Sequence, residues 1–232
     1  MGDFMDFFDL HCDTLTECMD DGDSLLKNER DIDFERGSIF GRWNQVFAVF
    51  VPDSMDDSLV EGYFDSACNF YFDELKKKGD VFPILSSEDV RGHSRGVMLA
   101  MESSRGVGSL ERLEKLYERG LRLITLTWNH KNRAAGGCDE GGGLTDWGRE
   151  LVSKMEKLGI VTDVSHLSDR SFYDLCEFSV APFIASHSDA RAVHNEVRSL
   201  TDEQIKIIIE RGGLIAVSYT HLTLPTNREV EI

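Results

Sequence analysis

Short apolar runs rich in Val, Ile and Phe recur between longer amphipathic stretches, and this alternation constrains the fold more than any other feature of the chain. Runs of that kind suit strands buried on both faces, and strands that alternate with helices build β-α-β units on a parallel sheet. Seven strands are predicted, at Phe7–Cys12, Val46–Val51, Gly96–Met101, Leu121–Thr127, Ile160–Ser165, Pro182–Ser186 and Gly213–Ser218. The intervening helices are clearest in the C-terminal half. Thr145 and the DWGR that follows it open an amphipathic run through Lys157, and Gly159 stands where that helix would stop. Ser168–Phe178 and Thr201–Arg211 read as two more, the last ended by Gly212 and Gly213.

The expected fold is therefore α/β, a TIM-type (β/α)8 barrel that is incomplete, with about seven strands present. The 232 residues, 41% of them hydrophobic, can bury one full core, and no internal repeat, low-complexity linker or second domain interrupts them.

Forty-two acidic residues against 25 basic ones give a formal charge of −17, which argues against nucleic acid or an anionic membrane surface as partner, because both need clustered Lys and Arg. Surplus carboxylates are chiefly solvated surface, although they also suit a protein that concentrates divalent cations. The N-terminus, MGDFMDFFDL, has no basic region and no long apolar run, and no stretch approaches the ~18 apolar residues of a membrane span, so the chain is expected to be cytoplasmic. Five cysteines without any CxxC spacing indicate neither a disulfide framework nor a zinc ribbon, and reduced thiols are the simplest reading.

Chemistry concentrates at the strand ends. The first strand runs into DLHCDTL, where side-chain alternation would put His11 and Asp13 on one side and Cys12 on the other. Taken alone, that pair could be no more than a structural His–Asp hydrogen bond. The third strand, VMLAM, ends in Glu102, where burial of a carboxylate would need a cation or hydrogen-bond donors; a surface Glu is the bland alternative. The fifth, IVTDVSH, delivers His166 and the sixth, APFIASH, delivers His187. In a β/α barrel the C-terminal ends of the strands converge on one mouth, so His11, Asp13, Glu102, His166 and His187 would meet there. Imidazoles mixed with carboxylates suit zinc or a similar transition metal better than calcium or magnesium. Five ligands exceed what one tetrahedral ion with an open position needs. They suit two ions about 3.5 Å apart, with Glu102 as the bridge, and such a pair supports metal-assisted hydrolysis.

Several stretches resemble the renal or membrane dipeptidases, a family of zinc metallopeptidases. They are DLHCDTL (9–15), QVFAVFVP (45–52), VMLAMES (97–103), ITLTWNHKN (124–132), GLTDWGRELVSKMEKLGIVTDVSHLSD (143–169) and APFIASHSDARAV (181–193). The resemblance implies a barrel of the metal-dependent hydrolase kind that hydrolyses dipeptides through a metal-activated water. It implies two Zn2+, one held by His11 and Asp13 and the other by His166 and His187, with Glu102 as the bridging and catalytic carboxylate. It further implies a homodimer, and places Arg198 where the family holds the substrate carboxylate, a role suited to a planar guanidinium; on its own Arg198 would pass for a surface residue.

There are departures from the family. Trp128 stands where the animal enzymes carry a substrate-contacting histidine, so substrate binding is expected to involve Trp128 and Asn129, with His130 in the loop that follows. Asn132 and the glycine-rich loop 136–143 would shape the pocket floor or merely turn. The family's eighth strand, with an aspartate that transfers protons, has no counterpart, and the resemblance stops near Val217. Residues 1–217 are accordingly expected to form a truncated metal-dependent hydrolase barrel and 218–232 a non-native tail. His93 and His194 are expected to be surface histidines, and Cys12 a packing residue. Two alternatives stay open: a related barrel amidohydrolase acting on another amide or lactam, and a fragment that binds metal without turnover.

Overall fold

The computed structural model describes residues 5–218; the expected tail, apart from Ser218, lies outside the described residues. The described part is built on a parallel sheet whose neighbouring strands run β1 (Asp6–Asp9), β2 (Arg42–Phe50), β4 (Arg95–Glu102), β5 (Leu121–Thr125), β6 (Val161–Asp163) and β7 (Phe183–Ile184). A further strand, β3 (Phe82–Pro83), pairs with β4 at Gly96 and Val97, below the stretch where β5 pairs from Leu99 onward. Helices α1 (Thr14–Asp21), α2 (Phe34–Gly37), α3 (Asp57–Lys77), α4 (Ser87–Gly92), α5 (Leu110–Glu118), α6 (Asp146–Leu158), α7 (Asp169–Phe178) and α8 (Asp202–Glu210) lie between the strands or after them.

Strand alternation splits the core into two layers. Trp43, Phe47, Val49, Val97, Leu99 and Met101 face outward and join the main cluster under the helices, with Phe64, Ala67, Cys68 and Tyr71 of the aromatic-rich α3; Leu121 and Ile124 of β5 join it too, on either side of a register irregularity in that strand. Leu10, Val46, Ala48, Ala100 and Leu123 face inward and form a second, smaller cluster, joined by Met98, Val161 and Ile184. Val, Leu and Ala side chains filling the concave face are what a TIM-type barrel interior requires. Met98 and Ala100 lie on the same face of β4 as Glu102, so alternation alone aims Glu102 at the barrel axis.

The helix stops and starts follow local chemistry. Thr145 Oγ1 accepts from Gly148 N at 3.0 Å and caps α6, whose far end turns at Gly159 with φ +80°, a conformation glycine adopts without steric cost. Ser168 caps α7, and Thr201 with Gln204 forms a capping box at α8.

The expected strands at 121–127, 160–165 and 182–186 shorten to β5, β6 and β7, and two other expectations change more. β1 ends at Asp9, not at Cys12, because the chain turns into α1, whose N-cap is Asp13; Cys12 still pairs with β2 through Cys12 N to Val46 O (3.1 Å) and Ala48 N to Cys12 O (2.9 Å). The expected strand 213–218 narrows to a single bridge of Ile215 with Ala185, although Ala185 N to Leu214 O and Ala216 N to Ala185 O (both 2.9 Å) keep it beside β7. β3 went unpredicted because two residues, one of them proline, carry no periodicity.

Candidate metal centre

Glu102 is the last residue of β4 and is buried. Its Oε2 lies 3.6 Å from His11 Nε2, while its Oε1 lies 3.0 Å from His166 Nε2 and 3.6 Å from His187 Nε2. The two oxygens of one carboxylate therefore face different imidazoles, Oε2 toward His11 and Oε1 toward His166 and His187. Asp13 stands beside His11, with its Oδ1 3.4 Å from His11 Nε2. The His11 and His187 rings stack at 3.7 Å, and the Nε2 atoms of His166 and His187 are 2.9 Å apart. All five side chains line one cavity of about 910 Å3, whose wall also includes Trp128, Asn129, His194 and Arg198.

Glu102 and His166 are held where they are by unusual backbone. His166 has φ +67° and Ser103, next to Glu102, has φ +81°; among the described residues these are the non-glycine positions with positive φ. Such conformations cost about 1–3 kcal/mol each and persist where surrounding contacts impose them. The His166 carbonyl accepts from Cys138 N (2.9 Å) and Thr127 Oγ1 (3.2 Å). Gly137 bridges to Leu167, so the glycine-rich loop, rather than merely turning, packs against the segment that carries His166. Gly137 can do so because a Cβ there would collide with the carbonyl of Asn129.

Electrostatics fit an ion at this place. Burial by itself would raise Glu102, but His11, His166 and His187 hold it well below the usual carboxylate range. For His11 burial works in the lowering direction, yet Glu102 and Asp13 outweigh it and raise the ring to about 9. His166 and His187 go down, through burial first; for His187 the charge of His11 comes next. Asp13 Oδ1 is buried without a hydrogen-bond partner, and Asp13 caps α1 without using its side chain. An unsatisfied buried oxygen beside His11, in a cavity that also holds Glu102, His166 and His187, matches the kind of donor set zinc takes. His11, Glu102 and His187 also bring ligand atoms within 4.8 Å of one another.

The other sequence-predicted residues are placed as follows. Asn129 Oδ1 sits 2.7 Å from His166 Nδ1. Trp128 packs edge-on against Phe50 at 5.0 Å and flanks His166 at 6.3 Å. Arg198 reaches the centre: its Nη2 donates to His187 O at 2.6 Å and lies 3.2 Å from His166 Nε2, its Nη1 donates to Ser188 Oγ at 3.1 Å, and its Nε is buried without a partner. His130 instead pairs with Asp53 (Nδ1 to Oδ2, 2.7 Å) in a different cavity. Asn132 donates to Leu126 O at 2.8 Å. Cys12 packs against the main core. His93 stacks on Phe82 at 4.1 Å, and His194, expected at the surface, is half-buried in the wall of the cavity that contains Glu102.

Sequence reading passed over Asp163. This fully buried carboxylate ends β6 and accepts from Thr125 Oγ1 and Ser186 Oγ, both at 2.6 Å, and from the backbone N–H groups of Ser186 (2.9 Å) and Ser165 (3.0 Å). The available signal was its place on the strand, since alternation puts Asp163 on the inward face with Val161.

A family model for membrane dipeptidases (peptidase family M19) matches residues 3–232. An uncharacterised protein of the pqqA 5' region from Klebsiella pneumoniae is 32% identical over 148 residues, which are 58% of this chain and 55% of that protein. The chain spans about half the length of the curated relatives it matches. Among solved structures, that of a metallopeptidase named dipeptidase AC superposes with a TM-score of 0.84 at 24% identity, over 92% of this chain and 72% of that one. A metallopeptidase from Rhodobacter sphaeroides, solved with a phosphinate mimic of the dipeptide L-Ala-D-Ala, gives 0.82 at 22% identity, over 93% and 74%. Identities this low speak for a shared fold, and the fold is the one the alternating strands predict.

Proposed function

The chain belongs to the membrane dipeptidase family, and from that premise we propose that it is a zinc-dependent dipeptidase with two ions bridged by Glu102. The observation that carries this reading is the division of labour within one carboxylate, with Oε2 toward His11 and Oε1 toward His166 and His187. His11 and Asp13 would hold one ion, His166 and His187 the other.

Bound zinc supplies Lewis acidity, which polarises an amide carbonyl and makes water acidic enough to attack it near neutral pH. The chain's own residues do the rest. Arg198 offers an unpartnered buried Nε beside the site, which favours it as the group that holds a substrate carboxylate. Trp128 and Phe50 form an apolar edge beside His166, and Trp128 and Asn129 share the cavity wall with Arg198, so the substrate's side chains would lie against them. Recognition of a free carboxylate close to these residues favours cleavage of the last peptide bond before a C-terminus. The relative crystallised with a dipeptide mimic points to the same substrate class.

Turnover of a dipeptide panel by zinc-loaded protein, compared with N-acyl amino acids, tests the reading. Dipeptide hydrolysis that disappears in Glu102→Ala supports it. Turnover of the N-acyl compounds alone would overturn it in favour of another amidohydrolase.

A further inference from the structure

Asp163 touches no position read as a ligand, yet it is tied to His187 through one atom. Ser186 Oγ lies 2.6 Å from Asp163 Oδ2 and 2.7 Å from His187 Nδ1. An ionised carboxylate only accepts hydrogen bonds, so the Ser186 hydroxyl must donate to Asp163. The competing oxygen, Ser165 Oγ, is 3.5 Å away, too far to divert that proton. A hydroxyl has one proton, and with it committed to Asp163 the oxygen can only accept from His187. The His187 proton is thereby fixed on Nδ1, and the Nε2 lone pair is left facing His166 Nε2 (2.9 Å) and Glu102 Oε1 (3.6 Å).

Resting on the two-metal reading above, we infer that Asp163 and Ser186 are positioning residues that set the His187 tautomer for metal binding through a hydroxyl relay. His166 is set by a different route, since Asn129 Oδ1 accepts from its Nδ1 directly. His11 has no such device, because its Nδ1 is buried and unpartnered. The relay thus acts on the ion held by His187 and not on the one held by Asp13.

The directions of these bonds make the relay testable by inversion. Asp163 Oδ1 accepts two backbone N–H groups, from Ser165 and Ser186. In Asp163→Asn the amide oxygen must keep that position, which puts the NH2 at the place of Oδ2. The NH2 then donates to Ser186 Oγ, the hydroxyl turns to donate to His187 Nδ1, and the imidazole proton moves to Nε2, where it blocks the metal. Ser186→Ala merely leaves His187 without an orienting partner.

Zinc binding measured by competition with a chelator, with circular dichroism to verify folding and nitrogen-15 NMR of the imidazoles to read the tautomer, separates the cases. Asp163→Asn is expected to weaken one ion roughly 10–100-fold, leave the other unchanged, and show His187 protonated on Nε2. Ser186→Ala is expected to weaken the same ion less, and the double variant Asp163→Asn/Ser186→Ala to recover to the Ser186→Ala level, because no hydroxyl remains to enforce the wrong tautomer. Equal weakening of both ions, or a double variant worse than Asp163→Asn, would mean a structural role and overturns the relay. Should Asp163→Asn not fold, Ser186→Ala alone decides, and unchanged zinc affinity there overturns the inference. A wild-type chain that binds no zinc would instead refute the two-metal reading itself, which keeps the two failures distinct.

Discussion

Glu102 Oε1 and His166 Nε2 face each other at 3.0 Å, a carboxylate from the end of β4 against an imidazole carried beyond the end of β6, both buried. A buried carboxylate ringed by imidazoles is stable only while a positive charge is shared among them. Glu102→Gln keeps the shape and removes the charge. It is expected to abolish tight zinc binding, and a dialysed sample assayed for metal should hold less than half the wild-type content. Full retention of zinc would contradict the bridging role.

Zinc loading should expel protons in a pH-dependent way. Without metal, burial alone would lower His11, but Glu102 and Asp13 raise it to about 9 from an ordinary 6.5. The protonated ring therefore stabilises the metal-free fold fully below pH 6.5, and that contribution is lost as pH climbs through about 9. Zinc requires the neutral ring, so binding at pH 7 releases at least one proton, and affinity rises with pH until about 9. Calorimetry in two buffers of different ionisation enthalpy measures this. Loading at pH 7 without proton release would show that His11 is not a ligand.

Replacing Arg198 by Ala should hurt substrate binding selectively. A charge-assisted hydrogen bond contributes about 1.5–3 kcal/mol, so KM for a dipeptide should rise by roughly 10–150-fold. The same variant should treat a dipeptide amide, which lacks the carboxylate, much as the wild type does. An equal loss on both substrates would remove Arg198 from carboxylate recognition.

The five residues gathered at the mouth were legible because each closely follows an apolar run in the local sequence, although only Glu102 lies on a strand, at the end of β4. VMLAM followed by Glu, and two apolar runs each closing on SH, announce polar groups that converge at one mouth. Other features left no local mark. Asp163 sits within VTDVSH like any strand polar residue, and its importance arises from Thr125 at the end of β5 and Ser186 just past the end of β7. The left-handed turn at His166 is imposed by the 127–138 segment, through Thr127 and Cys138. The early end of β1 reflects competition for Asp13 between extending a strand and capping α1, a contest that tertiary contacts decide.

The core that carries the site should be sensitive at α7. Phe172 is fully buried and meets Phe183 of β7 edge-on at 5.6 Å, close to the strand that leads to His187. Phe172→Ala should destabilise the fold by about 3–5 kcal/mol. Urea unfolding of the metal-free protein checks this, and a loss below about 1 kcal/mol would mean the contact is not a core anchor.

The central claim is that one carboxylate joins two metal positions, and the metal content of the chain tests it most directly. Elemental analysis of zinc-loaded protein after gel filtration is predicted to give two ions per chain for the wild type. His187→Ala and Asp13→Ala should each retain one, and Glu102→Ala neither at full occupancy. A wild type that saturates at one ion, or a Glu102→Ala variant that still holds two, would contradict the account.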